Sequence, residues 1–488
     1  MSFLSRISAE DAHRRRWELL ALTSIGAFMA PLDGSIVSVA LPVMSPDLHL
    51  SFAASIWVQA AYLLATAVLL IPLARLADQH GRVRFYLIGT AVFTAGSLVA
   101  ALSANGAWLI LSRVIQGGGA ALMVATSAAI VTAVFPPQER GRALGINVMA
   151  VYIGLSIGPP LGGILADGLG WRSIFLINLP IGLLVLAWGW MMLPRSERVE
   201  NAPRVDVAGA TLLAVFLTSL LVPLTFAPEW GWAAPLTLSL LVLSILALVG
   251  FAVVERRVES PVLDLDLLIH NRLFAAANTA ALLNYMALYA IGLLTAIFLE
   301  IVQDRSAAVT GWLMLSQPLL MAILSPLSGL LSDRIGSRVL ATGGMVAIAG
   351  GMILLAIMPA TAPVWQVAGN LAIVGLGMAA FSAPNMSAIM GSVRRDQLSV
   401  ASAFIGMVRT TGQALSVALL GGIAASQLGR LGGRLLFTHG RGGEAAGLAG
   451  RAVTGFVQGY RYAMVTGAVL ALVGAAVSLT RGAHDPGA

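Results

Sequence analysis

The chain has 488 residues, of which 58% are hydrophobic and 10% charged, with a formal net charge of +7. A soluble domain carries about 25% charged residues, so this chain has too little polar surface to cover a water-facing core and reads as an integral membrane protein. It holds no Cys and no Lys, which excludes disulfides, thiolate chemistry, Cys-ligated metals and the lysine-dependent loop that cradles nucleotide phosphates.

The six histidines, at positions 13, 49, 80, 270, 439 and 484, fall in or near expected loops and make no HExxH-type pair. No metal, no cofactor and no enzymatic nucleophile–base set is therefore expected. All the basic residues are Arg, and their charge is assigned to membrane-flanking loops rather than to nucleic acid. The N-terminal MSFLSRISAEDAHRRRW has no short apolar region with a small-residue cleavage site, so the long apolar run after it is read as a retained first helix.

A spanning helix needs roughly 20 apolar residues. Fourteen runs meet that requirement: 17–43, 53–76, 84–103, 107–134, 143–166, 173–193, 207–226, 234–254, 273–301, 311–332, 338–358, 364–390, 398–424 and 459–480. Arginine sets their orientation. With the N-terminus inside, the inner segments hold Arg14, Arg15 and Arg16, then Arg82 and Arg84, Arg140 and Arg142, Arg256 and Arg257, Arg334 and Arg338, and Arg394 and Arg395. The short outer loops hold Arg172 and Arg305, so both termini are expected in the cytoplasm. The segment 425–458 breaks this pattern with Arg430, Arg434, Arg441 and Arg451; it is long and rich in Gly and Ala, and is expected as a partly ordered outer hairpin.

Two inner loops resemble each other. LADQHGRVR (76–84) follows helix 2, and LSDRIGSRV (331–339) follows helix 10. Asp78, Gly81 and Arg82 in the first match Asp333, Gly336 and Arg338 in the second. If helices 7 and 8 are an insert, each loop joins the second and third helices of a six-helix set. The expected fold is therefore an all-α membrane protein of 6+2+6 helices: residues 1–193 an N-terminal six-helix bundle, 194–272 two inserted helices with linkers, and 273–488 a C-terminal six-helix bundle. Parallel six-helix halves with a site between them at mid-membrane are a secondary-transporter architecture.

Within helix 1, APLDGSIVSVALP (30–42) places Asp33 in an apolar run. An acid at the bilayer centre costs about 2.5–3.5 kcal/mol on insertion scales, which makes it a functional candidate. Pro31 and Gly34 flank it, so the helix is expected to loosen there and face a cavity. Asp33 lies about ten residues from the outer end of helix 1, and Arg113 about six from the outer start of helix 4. At about 1.5 Å per residue their depths differ by about 6 Å, so Arg113 is expected to face Asp33. A static ion pair that fixes helix packing is the alternative.

Four segments carry a resemblance to a known family. They are LDGSIVSVALP (32–42), PLARLADQHGRVRFYLIG (72–89), LILSRVIQGGGAA (109–121) and GLSIGPPLGGILADGLGWRSIFLINLPIG (154–182). In order and spacing they resemble the major facilitator superfamily, specifically its fourteen-helix drug:proton antiporter-2 family, over nearly the whole chain. Ser35 and Ser38 stand where that family usually has Thr and Asn. The resemblance implies that Asp33 and Arg113 carry proton and substrate coupling. It implies that Gly154, Gly158, Pro159, Gly162 and Gly163 form the antiporter motif of helix 5, a closely packed, bendable helix that limits proton leak. Their spacing alone also fits a plain packing groove. Asp78, Gly81 and Arg82, with Asp333 and Gly336, are expected to gate the inner side, with a surface turn as the alternative.

Arg409 in helix 13 matches the family's Arg-then-Gly pattern. Gln59, Tyr62, Asn284, Gln317 and Asn385 are further candidates to line a substrate cavity, though each also fits an interhelical hydrogen bond. Glu300, at the outer end of helix 9, is a secondary candidate. The implied function is a proton-coupled antiporter that exports lipophilic, cationic drugs across the inner membrane. Its implied partners are protons, the lipid bilayer, a lipophilic small molecule and, for some relatives, a periplasmic adaptor protein. A dedicated exporter of an endogenous metabolite is the alternative. A non-transporting membrane sensor is disfavoured by the retained buried charges.

Overall fold

A computed structural model describes residues 15–136, 139–192, 205–258, 265–394, 398–428, 432–433, 435–437 and 444–481. The described residues are helical, with no strand among them. Thirteen of the described helical segments are long and apolar enough to cross a membrane. In chain order we label the long helices α1 (Arg16–Asp47), α2 (Phe52–His80), α3 (Arg82–Ala101), α4 (Gly106–Val134), α5 (Arg140–Leu169), α6 (Ser173–Met191), α7 (Val207–Trp230), α8 (Pro235–Glu255), α9 (Arg272–Val302), α10 (Ala307–Ser332), α11 (Ser337–Ile357), α12 (Val364–Gly391), α13 (Leu398–Ser426) and α14 (Glu444–Leu479). α13, a helix of 29 residues, stands beside those thirteen spans in the place expected for helix 13.

The helix starts are set by side-chain caps. Ser51 accepts from the Ala54 amide at 3.3 Å, Asn105 from Trp108 at 3.0 Å, Asp206 from Gly209 at 2.8 Å and Asn271 from Phe274 at 2.9 Å. Each satisfies one of the amides that a helix leaves open at its N-terminus.

Packing repeats through the chain. In the first half α1 packs on α5, α3 on α4, α2 on α4 and α3 on α6. Eight helices later α9 packs on α13, α11 on α12, α10 on α12 and α11 on α14. The contacts between halves also exchange, α2 against α13 and α5 against α10. α7 and α8 pair with each other, and α7 rests on α2 and α13. α8 turns Leu236, Val242, Ile245, Leu246 and Val249 outward, all more than half exposed. On a membrane-spanning helix such a face is lipid-facing. Among the thirteen spans α1 and α2 are the most enclosed, with 78% and 72% of an apolar stretch of 18 residues buried.

Gly81 (φ 115°) and Gly336 (φ 86°) turn the chain between α2 and α3 and between α10 and α11. Both conformations are strained for a residue with a Cβ. Gly81→Ala is expected to lower stability by about 1–3 kcal/mol, read as a fall in Tm of the purified protein in detergent.

Two expectations need correction. α1 does not loosen at Asp33; it runs unbroken from Arg16 to Asp47 with Pro31 inside it. Its carbonyls there are taken by side chains instead: Tyr62 donates to Ala30 O at 3.2 Å and Gln59 to Gly34 O at 3.0 Å. The irregular turn falls in α9, whose last five residues, Phe298–Val302, form a π-helix. α14 begins at Glu444 rather than near residue 459, so it takes up the second part of the expected outer hairpin. Ala452, Phe456 and Tyr460 recur every four residues on its buried face, and Phe437 stacks on Phe52 at 6.4 Å. Arg14, Arg395, Arg430, Arg434, Arg441 and the side chain of Asp333 lie outside the described residues.

Candidate functional site

Asp33 and Arg113 are both fully buried and form an ion pair between α1 and α4. The depth argument therefore placed them correctly. The pair does not stand alone. Gln116, one turn beyond Arg113, donates to Asp33 Oδ1 at 3.1 Å and accepts from Arg113 at 2.6 Å. Asn178 of α6 donates to the same Asp33 oxygen at 2.9 Å. Ser97 of α3 ties the two amides together, accepting from Gln116 at 2.7 Å and Asn178 at 3.3 Å. The Arg113 Nε–H goes to Val58 O of α2 at 3.0 Å. Five helices thus meet in one buried network around Asp33.

Gln116 and Asn178 were not singled out from the sequence. Both lie inside the quoted segments RVIQGGG and INLPIG, and a turn-spaced Arg–Gln pair in an apolar helix was the available signal. Each is a direct partner of a buried charge, whose loss leaves that charge under-satisfied. Gln116→Ala is expected to cut the transport rate about tenfold, a loss of about 1.4 kcal/mol, while the protein still purifies as a folded monodisperse species; initial rates in proteoliposomes read it.

Tyr62 covers the ion pair. The Arg113 guanidinium lies 4.4 Å from the centre of its ring and 5.8 Å from that of Phe175. Gln59 holds α1 through Gly34 O and Ser38 Oγ, at 3.0 and 2.9 Å, and reaches Tyr289 Oη of α9 at 3.4 Å. This is the point where the first half touches the second beside Asp33. Arg409 of α13 is half-buried between Gly406, which faces Leu70 of α2, and Gly412, which faces Tyr285 of α9; with the half-buried Tyr285 and Tyr289 it marks a cleft between the halves beside Asp33.

Other cavity candidates go elsewhere. Asn284 turns away from the cleft and donates to Met345 Sδ of α11 at 3.1 Å. Asn385 accepts from Arg481, just beyond α14, where burial pushes the guanidinium down to about 10. Gln317 is half-buried, and its backbone lies under Gly375 of α12. Glu300 is buried in the π-helix with one carboxylate oxygen unpartnered among the described residues. A cavity of about 630 Å³ lies away from Asp33, between the Ser45–Ala54 turn, the start of α4 and Phe437.

The glycines of α5 do not share one face. A Cβ on Gly154 would meet Phe28 O at 2.5 Å, on Gly158 Ser35 Oγ at 1.8 Å, and on Gly162 Ile36 Cγ1 at 2.7 Å, so these three seat α5 on α1. Gly163 turns the other way: its Cβ would lie 2.1 Å from Ala307 O of α10. Gly311 of α10 returns the contact, with its Cβ 2.2 Å from Pro159 O. Asp167 accepts from the Ala308 amide at 2.8 Å in the same seam. The halves are therefore pressed together at the end opposite the arginine-rich loops. At the arginine-rich end Asp78 pairs with Arg82 at 2.5 Å, and Arg82 reaches Ala129 O at 3.4 Å. Those contacts stay within the first half.

Spanning helices in two matched halves, meeting over a buried ion pair, define a multi-pass membrane transporter. The chain belongs to the Major Facilitator Superfamily, whose profile matches residues 23–269 and 273–487. It is 36% identical to the multidrug resistance protein Stp of Mycobacterium tuberculosis over 85% of this chain and 77% of that protein. It is 32% identical to the riboflavin transporter RibZ of Clostridioides difficile, over 85% and 90% respectively. It is 33% identical to the puromycin resistance protein pur8 of Streptomyces alboniger, over 83% and 81%. Among solved structures, a bacterial homolog of the human lysosomal transporter Spinster superposes with a TM-score of 0.70 at 20% identity, covering 96% of each chain. That likeness shows the fold.

Proposed function

We propose that this transporter is a proton-coupled antiporter that exports lipophilic small molecules across the inner membrane, with both termini in the cytoplasm and no enzymatic step. The observation that carries the reading is the buried Asp33, whose partners come from α4 and α6 and whose pair partner Arg113 lies against Tyr62. A proton on Asp33 removes the negative charge that Arg113 pairs with and turns one carboxylate oxygen into a hydroxyl, so the charge-assisted bonds from Arg113, Gln116 and Asn178 all weaken. The helices that hold them then shift relative to α1. Loading a proton from outside thereby favours one packing of the two six-helix bundles, residues 1–193 and 273–488, and releasing it inside favours the other. The seam at Gly163 and Gly311 is the part that opens and closes, and the Asp78–Arg82 loop steadies the opposite end.

Relatives named for drug resistance support a toxic-compound cargo, and the riboflavin transporter supports a dedicated metabolite cargo equally well. The test is reciprocity in proteoliposomes of the full chain. An imposed pH gradient should concentrate ethidium or riboflavin, and a gradient of the same compound should move protons. Movement of either compound that ignores the pH gradient in both directions refutes proton coupling.

A further inference from the structure

The cleft beside Asp33 holds a cation that the proton-coupling pair does not need. Its position follows from helix geometry. On α13, Gly406 faces α2, with its Cβ position 3.3 Å from Leu70 Cδ2, and Gly412 faces α9, 2.8 Å from Tyr285 Cβ. Arg409 lies three residues from each. At about 100° per residue its direction falls midway between theirs, so it points into the space between α2 and α9. Among the described residues it has no hydrogen-bond or ion-pair partner.

The groups around it are phenols. Tyr285 of α9 lies against Gly412, Tyr289 one turn further along α9 reaches Gln59 of α2 at 3.4 Å, and Tyr62 of α2 and Tyr152 of α5 lie within electrostatic reach. Tyr152, Tyr285 and Tyr289 remain half-buried. The acid that acts on Tyr62 and Tyr289 is Asp33, which Arg113, Gln116 and Asn178 already satisfy. Asp33 and Arg113 cancel, so among the described residues named here Arg409 is left as the uncompensated positive charge.

We propose that Arg409 is the recognition residue for an anionic group on the cargo, and that the preferred substrates are organic anions with a flat aromatic core. This rests on the cleft beside Asp33 being the cargo site, as proposed above. A planar guanidinium offers a fork of donors that matches a carboxylate, sulfonate or phenolate. The tyrosine rings supply faces for an aromatic body and hydroxyls for its polar edge. A lipophilic cation, the cargo implied by family resemblance, would have to lie against Arg409 with no free acid beside it among these groups.

The test uses two dyes of one xanthene skeleton and opposite charge, fluorescein at pH 8 and rhodamine 123. Binding of each to the full chain in lipid nanodiscs is measured by fluorescence anisotropy, with no gradient present. The wild type is expected to bind fluorescein at least about tenfold tighter than rhodamine 123. Arg409→Gln is expected to erase that preference by weakening fluorescein alone, and Arg409→Lys to keep part of it. The proposal is overturned if the wild type binds rhodamine 123 as tightly as fluorescein, if it binds neither dye, if the preference survives in Arg409→Gln, or if both dyes weaken equally. Failure of proton coupling is a separate result: an Arg409-dependent preference with no dye moved by a pH gradient would sink the antiport reading and leave the anion site standing.

Discussion

Asp33→Asn is expected to abolish concentrative transport while leaving cargo binding in place. One proton exchanged per cargo across a pH difference of one unit supports a cargo gradient of about tenfold, from the 1.4 kcal/mol per decade equivalence. With the membrane potential clamped at zero, wild-type proteoliposomes should approach that ratio, and Asp33→Asn should stay near unity. The substitution has a structural cost as well. It leaves Arg113 fully buried without its counter-charge, and breaking a buried pair from one side costs about 3–5 kcal/mol. The double variant Asp33→Asn/Arg113→Gln separates the two effects, because it removes both charges from the core. Its Tm should recover most of the loss while the cargo ratio stays near unity. Concentrative transport by either variant would make the pair a static packing element and move the coupling site elsewhere.

The second large effect is expected at Gly163. The atoms a Cβ would meet there are the carbonyl of Ala307 at 2.1 and 2.6 Å and the Ala308 Cα at 2.7 Å, all backbone. No rotamer change can relieve them, so Gly163→Leu should prevent α5 and α10 from meeting. The halves should then stand apart at that end, and transport should fall by more than about tenfold. The absence of native Cys makes this measurable, because spin labels on Leu102→Cys and Trp365→Cys report one distance across the mouth. Both sites are exposed, at 72% and 73%, at the outer ends of α3 and α12, one in each half. The distance distribution should shift to longer values in Gly163→Leu. Gly168→Ala, with nothing within 4 Å of its Cβ, should leave both distance and transport unchanged. An unaltered distribution in Gly163→Leu would mean that the seam is not the moving contact.

The Asp33–Arg113 pairing was legible because depth follows directly from residue count along a straight helix. Its completion by Gln116, Asn178 and Ser97 was not. A Gln or Asn in an apolar helix looks the same whether it serves a buried charge, as Asn178 does, or a neighbouring sulfur, as Asn284 does. The glycines of α5 show the same limit. Their spacing showed that something packs closely, yet Gly162 and Gly163 are adjacent and seat against different helices, α1 and α10.

By itself, then, the sequence determined the membrane class, the order of the long helices, the family signature, and the buried Asp33 with the arginine at its depth. Those properties are local: hydropathy, run length and rise per residue are set within a segment. The tertiary structure decided which way each polar side chain turns, which glycine closes the seam, that α1 stays helical through Asp33, and that Arg409 is left without a hydrogen-bond or ion-pair partner among the described residues. Direction around a helix axis acquires meaning only when a partner helix is present. Each residue turns it by about 100°, so one step along the chain separates a contact within a half from a contact between halves.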